Sequence, residues 1–139
     1  HDCVVGDDNV FANNAGIAGH VNVGNNVTIG ALTTIHQFCQ IGDYSFAGMN
    51  TSITMDVPAY IKVASNPARV IGLNSVGMER AGINQETITI LKKVYKIIYR
   101  KGFNLKDAIA KVESMDCFNV EEVQNFISSL KSSERGILR

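Results

Sequence analysis

Three histidines, His1, His20 and His36, are the side chains of this chain best suited to move a proton or ligate a metal near neutral pH. They lie 19 and 16 residues apart. Spacing this nearly regular asks whether the backbone itself is periodic and brings the three rings to one place. A shared edge of imidazoles is what catalytic and metal sites use.

The backbone is periodic. Residues 5 to 57 repeat every six residues. The first position of each hexad is apolar throughout, from Val5, Phe11 and Ile17 to Ala47 and Ile53. The second is mostly Gly or Ala, from Gly6 to Gly48, with His36 as its first large exception. The fifth is small or β-branched, as in Val21, Val27, Thr33 and Cys39. Hexapeptide periodicity is the signature of a parallel β-helix. The large aliphatic residue is expected to point into the prism and stack on its equivalents. The small residue beside it is expected to let the chain turn, with φ > 0 open to Gly there. A single strand cannot bury its apolar side alone, so stacking must do it. Three faces need three hexads, which makes one coil eighteen residues.

On that coil each histidine spacing falls within two residues of one full turn. His1 takes the third position of its hexad, His20 the fourth and His36 the second, none of them an inward position. The three are therefore expected to stack up one outward edge on successive coils.

Length and composition bound the rest. The 139 residues suit one domain or two small ones, and an apolar content of 45% is ordinary for a globular chain. No run approaches a membrane span, and no signal peptide is visible. The chain starts on His1 and enters the hexads without a capping segment. It is expected to be part of something longer, with an exposed coil edge. Cys3, Cys39 and Cys117 are odd in number and lack CxxC spacing, so no disulfide framework or zinc knuckle is indicated. This points to a reducing, cytoplasmic compartment. The net charge of zero hides a division: residues 1–57 hold five acids and no Lys or Arg, while all 13 basic residues lie in 58–139. The basic part suits an acidic or phosphate-bearing partner.

The hexads are expected to end at Asp56-Val57-Pro58, giving a repeat domain over 1–57 and a second domain over 58–139. Residues 58–73 read as a connection. A short helix is expected at 74–80 with Asn74 as its cap, then helices near 85–100, 105–115 and 120–131 started by Asn84, Asn104 and Asn119. Their apolar stripes read as core. Lys93, Lys96 and Arg100 share a face of the first long helix and form the densest basic patch.

The hexads carrying His1-Asp2-Cys3, Ala18-Gly19-His20 and Ile35-His36-Gln37-Phe38 resemble the acyl-carrier-protein–UDP-N-acetylglucosamine O-acyltransferases of lipid A biosynthesis. So do Asp56-Val57-Pro58, the Asn74–Arg80 segment, Ile98-Tyr99-Arg100 and the final Arg135–Arg139. The resemblance spans the whole chain and the C-terminal half or so of the family. It implies a left-handed parallel β-helix followed by a small α-helical C-terminal domain, assembled as a homotrimer with active sites between subunits. It implies transfer of a 3-hydroxyacyl chain from acyl carrier protein to the 3-hydroxyl of UDP-N-acetylglucosamine. No cofactor, nucleic-acid partner or membrane span is implied.

By the same resemblance His1 is the general base, with Asp2 supporting it, although strand alternation would aim neighbouring side chains apart. The Gly19 N–H is the oxyanion donor. His20, His36 and Gln37 hold sugar, phosphate or pantetheine groups, and Asn74 and Arg80 contact the nucleotide. Met49 is an outward third-position residue that would shorten the acyl groove. Two positions depart from the family: Val76 stands where Glu is frequent, and Ala81 where a second basic residue follows Arg80.

Three other readings compete. One is a related hexapeptide N-acyltransferase of the same pathway. Another is a non-catalytic trimerisation and docking module. A γ-type carbonic anhydrase also sets three histidines on a β-helix, but needs two of them close in sequence, and no such pair exists here. No metal site is therefore expected.

Overall fold

A computed structural model describes residues 1–139. Nine two-residue strands come first: β1 (Val4–Val5), β2 (Val10–Phe11), β3 (Gly16–Ile17), β4 (Asn22–Val23), β5 (Thr28–Ile29), β6 (Thr34–Ile35), β7 (Gln40–Ile41), β8 (Phe46–Ala47) and β9 (Ser52–Ile53). Two longer strands follow, β10 (Ile61–Ala64) and β11 (Arg69–Leu73). Then come α1 (Ser75–Arg80), α2 (Gln85–Tyr99), α3 (Leu105–Glu113) and α4 (Glu121–Lys131), with a 3₁₀ turn at Asp116–Asn119.

The short strands pair in parallel with a shift of eighteen residues, as in Val4↔Asn22, Val10↔Thr28 and Gly16↔Thr34. They make three sheets, β1-β4-β7, β2-β5-β8-β10-β11 and β3-β6-β9. This is a β-solenoid of about three turns. Its interior is the first and fifth columns: Val23, Ile29, Ile35, Ile41 and Ile53 stack beside Val21, Val27, Thr33, Cys39 and Ser45, all buried. Burial pushes the Cys39 thiol pKa upward, as desolvation disfavours a thiolate, so this sulfur is core. Val5 and Phe11, in the first described turn, are 46% and 38% exposed.

The corner is not made where the glycines are. The second-position glycines Gly6, Gly24, Gly30, Gly42 and Gly48 do not have positive φ. The fourth position does: Asp2, Asp8, Asn14, His20, Asn26, Leu32, Phe38, Tyr44 and Asn50 all lie at φ 54–68°. That conformation costs an L-residue roughly 1–2 kcal/mol. Axial bonds such as His20 N–H to His1 O and Asn26 N–H to Asp7 O, both 3.0 Å, hold it in place. Gly is needed at the second position for closeness. A Cβ on Gly30 would lie 2.6 Å from the Met49 nitrogen.

The solenoid does not stop at Pro58. Val57 bridges Ile41 in parallel, β10 pairs in parallel with β8, and Tyr60 repeats the left-handed corner at φ 67°. The register there is sixteen rather than eighteen, as in Phe46↔Lys62, so one hexad is two residues short. The Gly42 N–H donates to Val57 O, which stacks Pro58 on Gly42 in the last turn. No coil stands above Pro58 to accept a hydrogen bond, so its missing N–H costs nothing. Residues 58–73 are thus a final turn and an antiparallel β10-β11 hairpin rather than a connection.

Asn74, Asn84 and Asn104 cap α1, α2 and α3 by accepting from Gly77, Thr87 and Asp107 N–H. Asn119 does not cap α4; it ends the 3₁₀ turn, and Val120 precedes the helix without a side-chain cap. Helix α2 packs on α3 and α4 through Leu91, Val94, Tyr95 and Ile98. The Ser129 hydroxyl accepts from Ala59 N–H, and the Asn125 amide donates to Asp43 and Tyr60, so α4 sits on the solenoid. No helix is long and apolar enough to cross a membrane.

The last residues return to the solenoid. Asp56 is 2% exposed. Its carboxylate accepts from Gln40 N–H and the Ser133 hydroxyl, and its backbone bonds Gly136 O and Leu138 N–H. Arg135 donates to Thr54 O, the Tyr99 hydroxyl to Leu138 O, and the Arg139 guanidinium to Ile98 O. Two glycines test the close-packing argument. Gly30→Ala is expected to destabilise the protein by about 1–3 kcal/mol in urea unfolding, since only backbone can yield. Gly16→Ala, with nothing within 4 Å of an added Cβ, should stay within about 0.5 kcal/mol of wild type.

Candidate functional site

One corner of the solenoid gathers most of the chemistry. Asp2 and His20 are corner residues one turn apart, and His1 and Gly19 precede them. Because Asp2 has a left-handed backbone rather than a strand one, its side chain does not point away from that of His1. His1 Nδ1 and Asp2 Oδ2 lie 2.7 Å apart. A carboxylate only accepts, so in the neutral ring the proton sits on Nδ1 and Nε2 keeps its lone pair. That free nitrogen lies over Gly19, where an added Cβ would come within 2.8 Å of it. Any side chain at position 19 would displace the ring.

The Gly19 N–H makes no hydrogen bond within the chain. At the corner carrying Asp7 and Asn25, the same third-position N–H groups are taken by side chains, Asp7 by Asn25 Oδ1 at 2.7 Å and Asn25 by Asp43 Oδ1 at 2.8 Å. The Gly19 donor is free, as are the third-position N–H groups of Asn13, Ala31, Gln37, Asp43 and Met49, but it alone lies beneath the His1 ring. A nucleophile-activating imidazole and a free backbone donor side by side can deprotonate a hydroxyl and receive an oxyanion.

The histidines do not form the expected stack of three. His20 meets His1 edge-on at 5.1 Å, but its other neighbour is Phe38, stacked at 4.8 Å and 10°. The reason is register: one turn above His20 comes residue 38, while His36 sits on the second column. His36 is exposed, its Nδ1 3.1 Å from Gln37 O, and it stands outside the His1-Asp2-His20 cluster. Phe38, like Glu134 and Arg135 at the cleft beside it, is not among the site residues expected from sequence. Its signal was an aromatic at a corner position that favours Asn and Asp, where strain is tolerated for what the side chain does.

A cleft of 670 Å³ opens beside this corner. Asp2, His20 and Phe38 line one side, and Glu134 and Arg135 of the returning C-terminal segment the other. Gln37 is exposed at the same corner, and Met49 is 70% exposed on another.

Asn74 and Arg80 line a second cavity of 520 Å³ with Phe46, Lys62 and Val76. Arg80 is exposed there. Asn74 is 6% exposed and already engaged: its amide donates to Tyr44 O at 2.7 Å and accepts from Gly77 N–H at 3.2 Å. It fixes α1 to the solenoid and lines that cavity with Arg80.

Comparison with known proteins agrees with the fold. The family profile described as Udp N-acetylglucosamine O-acyltransferase, domain 2, matches residues 56–138. The acyl-[acyl-carrier-protein]–UDP-N-acetylglucosamine O-acyltransferases of Thiobacillus denitrificans and Anaeromyxobacter sp. strain K are 41% and 43% identical over all 139 residues. The crystal structure of UDP-N-acetylglucosamine O-acyltransferase from Moraxella catarrhalis RH4 superimposes with a TM-score of 0.95 at 43% identity, covering 100% of this chain and 54% of that one. The chain spans about half the length of the curated relatives it matches, 54% in both cases. By profile, sequence identity and fold together, the chain belongs to the UDP-N-acetylglucosamine O-acyltransferase family.

Proposed function

We propose that the complete protein transfers a 3-hydroxyacyl chain from acyl carrier protein to the 3-hydroxyl of UDP-N-acetylglucosamine, the first step of lipid A biosynthesis. The observation that carries this reading is the His1–Asp2 pair whose free Nε2 lies beside the unengaged Gly19 N–H.

An alcohol is a poor nucleophile at neutral pH. His1 Nε2 takes the proton from the sugar hydroxyl as its oxygen attacks the thioester carbonyl. Asp2 holds the ring in the required tautomer. The carbonyl oxygen becomes an oxyanion and accepts from Gly19 N–H. The tetrahedral intermediate then collapses, the C–S bond breaks, and His1 returns the proton to the departing thiol. His20, His36 and Gln37 contact sugar, phosphate or pantetheine groups, with Phe38 as a stacking wall. Arg80 faces nucleotide phosphate, a match for a guanidinium, and Asn74 contacts the nucleotide beside it while holding α1 in place.

A left-handed solenoid, a homotrimer and a cytoplasmic setting belong to this reading, with the boundary between solenoid and helices moved from residue 57 to the end of β11 at Leu73. Lys93 and Lys96 on α2 and Arg100 at its C-cap are all exposed and suit an acidic carrier protein.

Acyl transfer by the full-length protein, with UDP-N-acetylglucosamine and a series of acyl carrier protein thioesters, tests the assignment. His1→Ala is expected to lose roughly 10²–10⁴-fold in kcat with folding intact. Unchanged function would favour a docking module, and transfer only to an amino-sugar acceptor the related N-acyltransferase. Met49→Gly should shift preference toward longer acyl donors, read from relative kcat/KM across the series; no shift removes Met49 from the groove. Carrier-protein binding through the α2 patch should weaken at least tenfold between low and physiological salt. Affinity indifferent to salt would rule that surface out.

A further inference from the structure

The His1-Asp2-His20 cluster has a second capability. Its ligand atoms all lie within 4.8 Å of one another, with His1 Nδ1 2.7 Å and His20 Nε2 3.7 Å from the same Asp2 oxygen. Around a tetrahedral zinc with bonds near 2.0–2.1 Å, ligand atoms sit about 3.3 Å apart. The observed separations straddle that value, so modest side-chain rotations would bring all three onto one ion. The His1, Asp2 and His20 side chains are 76%, 65% and 44% exposed, so the main contact a rotation gives up is the stacking of His20 on Phe38. The backbone supplies the convergence, since Asp2 and His20 occupy the same left-handed corner on consecutive turns.

Two imidazoles and a carboxylate select zinc-class divalent ions over calcium or magnesium, which prefer all-oxygen sites. A fourth coordination position would face the cleft lined by Asn22, Gln40, Glu134 and Arg135. We propose that His1, Asp2 and His20 form a zinc-class site whose filling switches off the base. The inhibitory part rests on the acyl-transfer reading; the binding part does not. The logic is tautomeric. An uncharged imidazole bound to metal through Nδ1 carries its one proton on Nε2. The lone pair assigned to the sugar hydroxyl is then gone. Zinc also displaces the hydrogen bond through which Asp2 keeps that lone pair available.

The test is calorimetric titration of zinc chloride into the purified full-length protein. One ion per chain is expected. His20→Asn and Asp2→Asn should each weaken binding at least tenfold, and Asn is chosen because it tolerates positive φ. His36→Asn should bind as wild type does. Absence of binding, or undiminished binding in His20→Asn, overturns the site. In parallel, saturating zinc should lower acyl transfer at least tenfold and a chelator should restore it. Zinc bound with transfer undiminished overturns the inhibition. A protein that transfers nothing even without zinc sinks the catalytic reading instead, and calorimetry still decides the site.

Discussion

Backbone hydrogen bonds that run along the solenoid axis dictate where every functional group of this chain can be. Successive turns bond to each other in a register of eighteen residues, sixteen in the last turn, so a side chain's neighbours are set by sequence distance rather than by local packing. The left-handed corner residue closes each hexad. Together these two constraints put Asp2 beneath His20 and His20 beneath Phe38, and lay the His1 ring across Gly19. The corner has no core of its own. Its geometry is borrowed from the stacked Val and Ile columns behind it.

The helices and the C-terminal segment complete what the solenoid starts. Asp56 is the pivot, buried and bonded through both carboxylate oxygens and both backbone groups. It brings Ser132, Glu134 and Arg135 to the rim of the cleft beside His20. The Tyr99 hydroxyl and the Arg139 guanidinium anchor the same segment to α2. Burial raises the Tyr99 pKa above the usual phenol range, so that hydroxyl stays a donor to the Leu138 carbonyl. Change in the helical layer can therefore be felt at the cleft, through a wall that is covalently remote and hydrogen-bonded close by.

The two proposals for this corner draw on one arrangement. Orienting His1 through Nδ1 frees Nε2 for proton transfer, and the same proximity of imidazole, carboxylate and second imidazole is the donor set of a soft-cation site. A protein that relies on a free imidazole beside a carboxylate and another histidine exposes itself to metals. In the proposed reading Asp2 decides between the two uses, because it would either hold a proton on His1 or share a metal with it.

The sequence alone determined the period, and with it the solenoid, the inward columns and the outward histidines, because a six-residue apolar repeat has few other ways to bury itself. It also located α1, α2 and α3, since an Asn cap followed by an apolar stripe is a local signal. Three things were decided only by tertiary structure. The corner fell on the fourth position rather than on the glycines, because the second position must sit flat against the next turn, which leaves no room for a Cβ. The solenoid ran past Pro58, because a proline is harmless where no turn above needs its N–H. His20 found Asp2, His1 and Phe38 instead of His36, because partnership across turns is fixed by exact register, and a spacing of sixteen is two residues short of it.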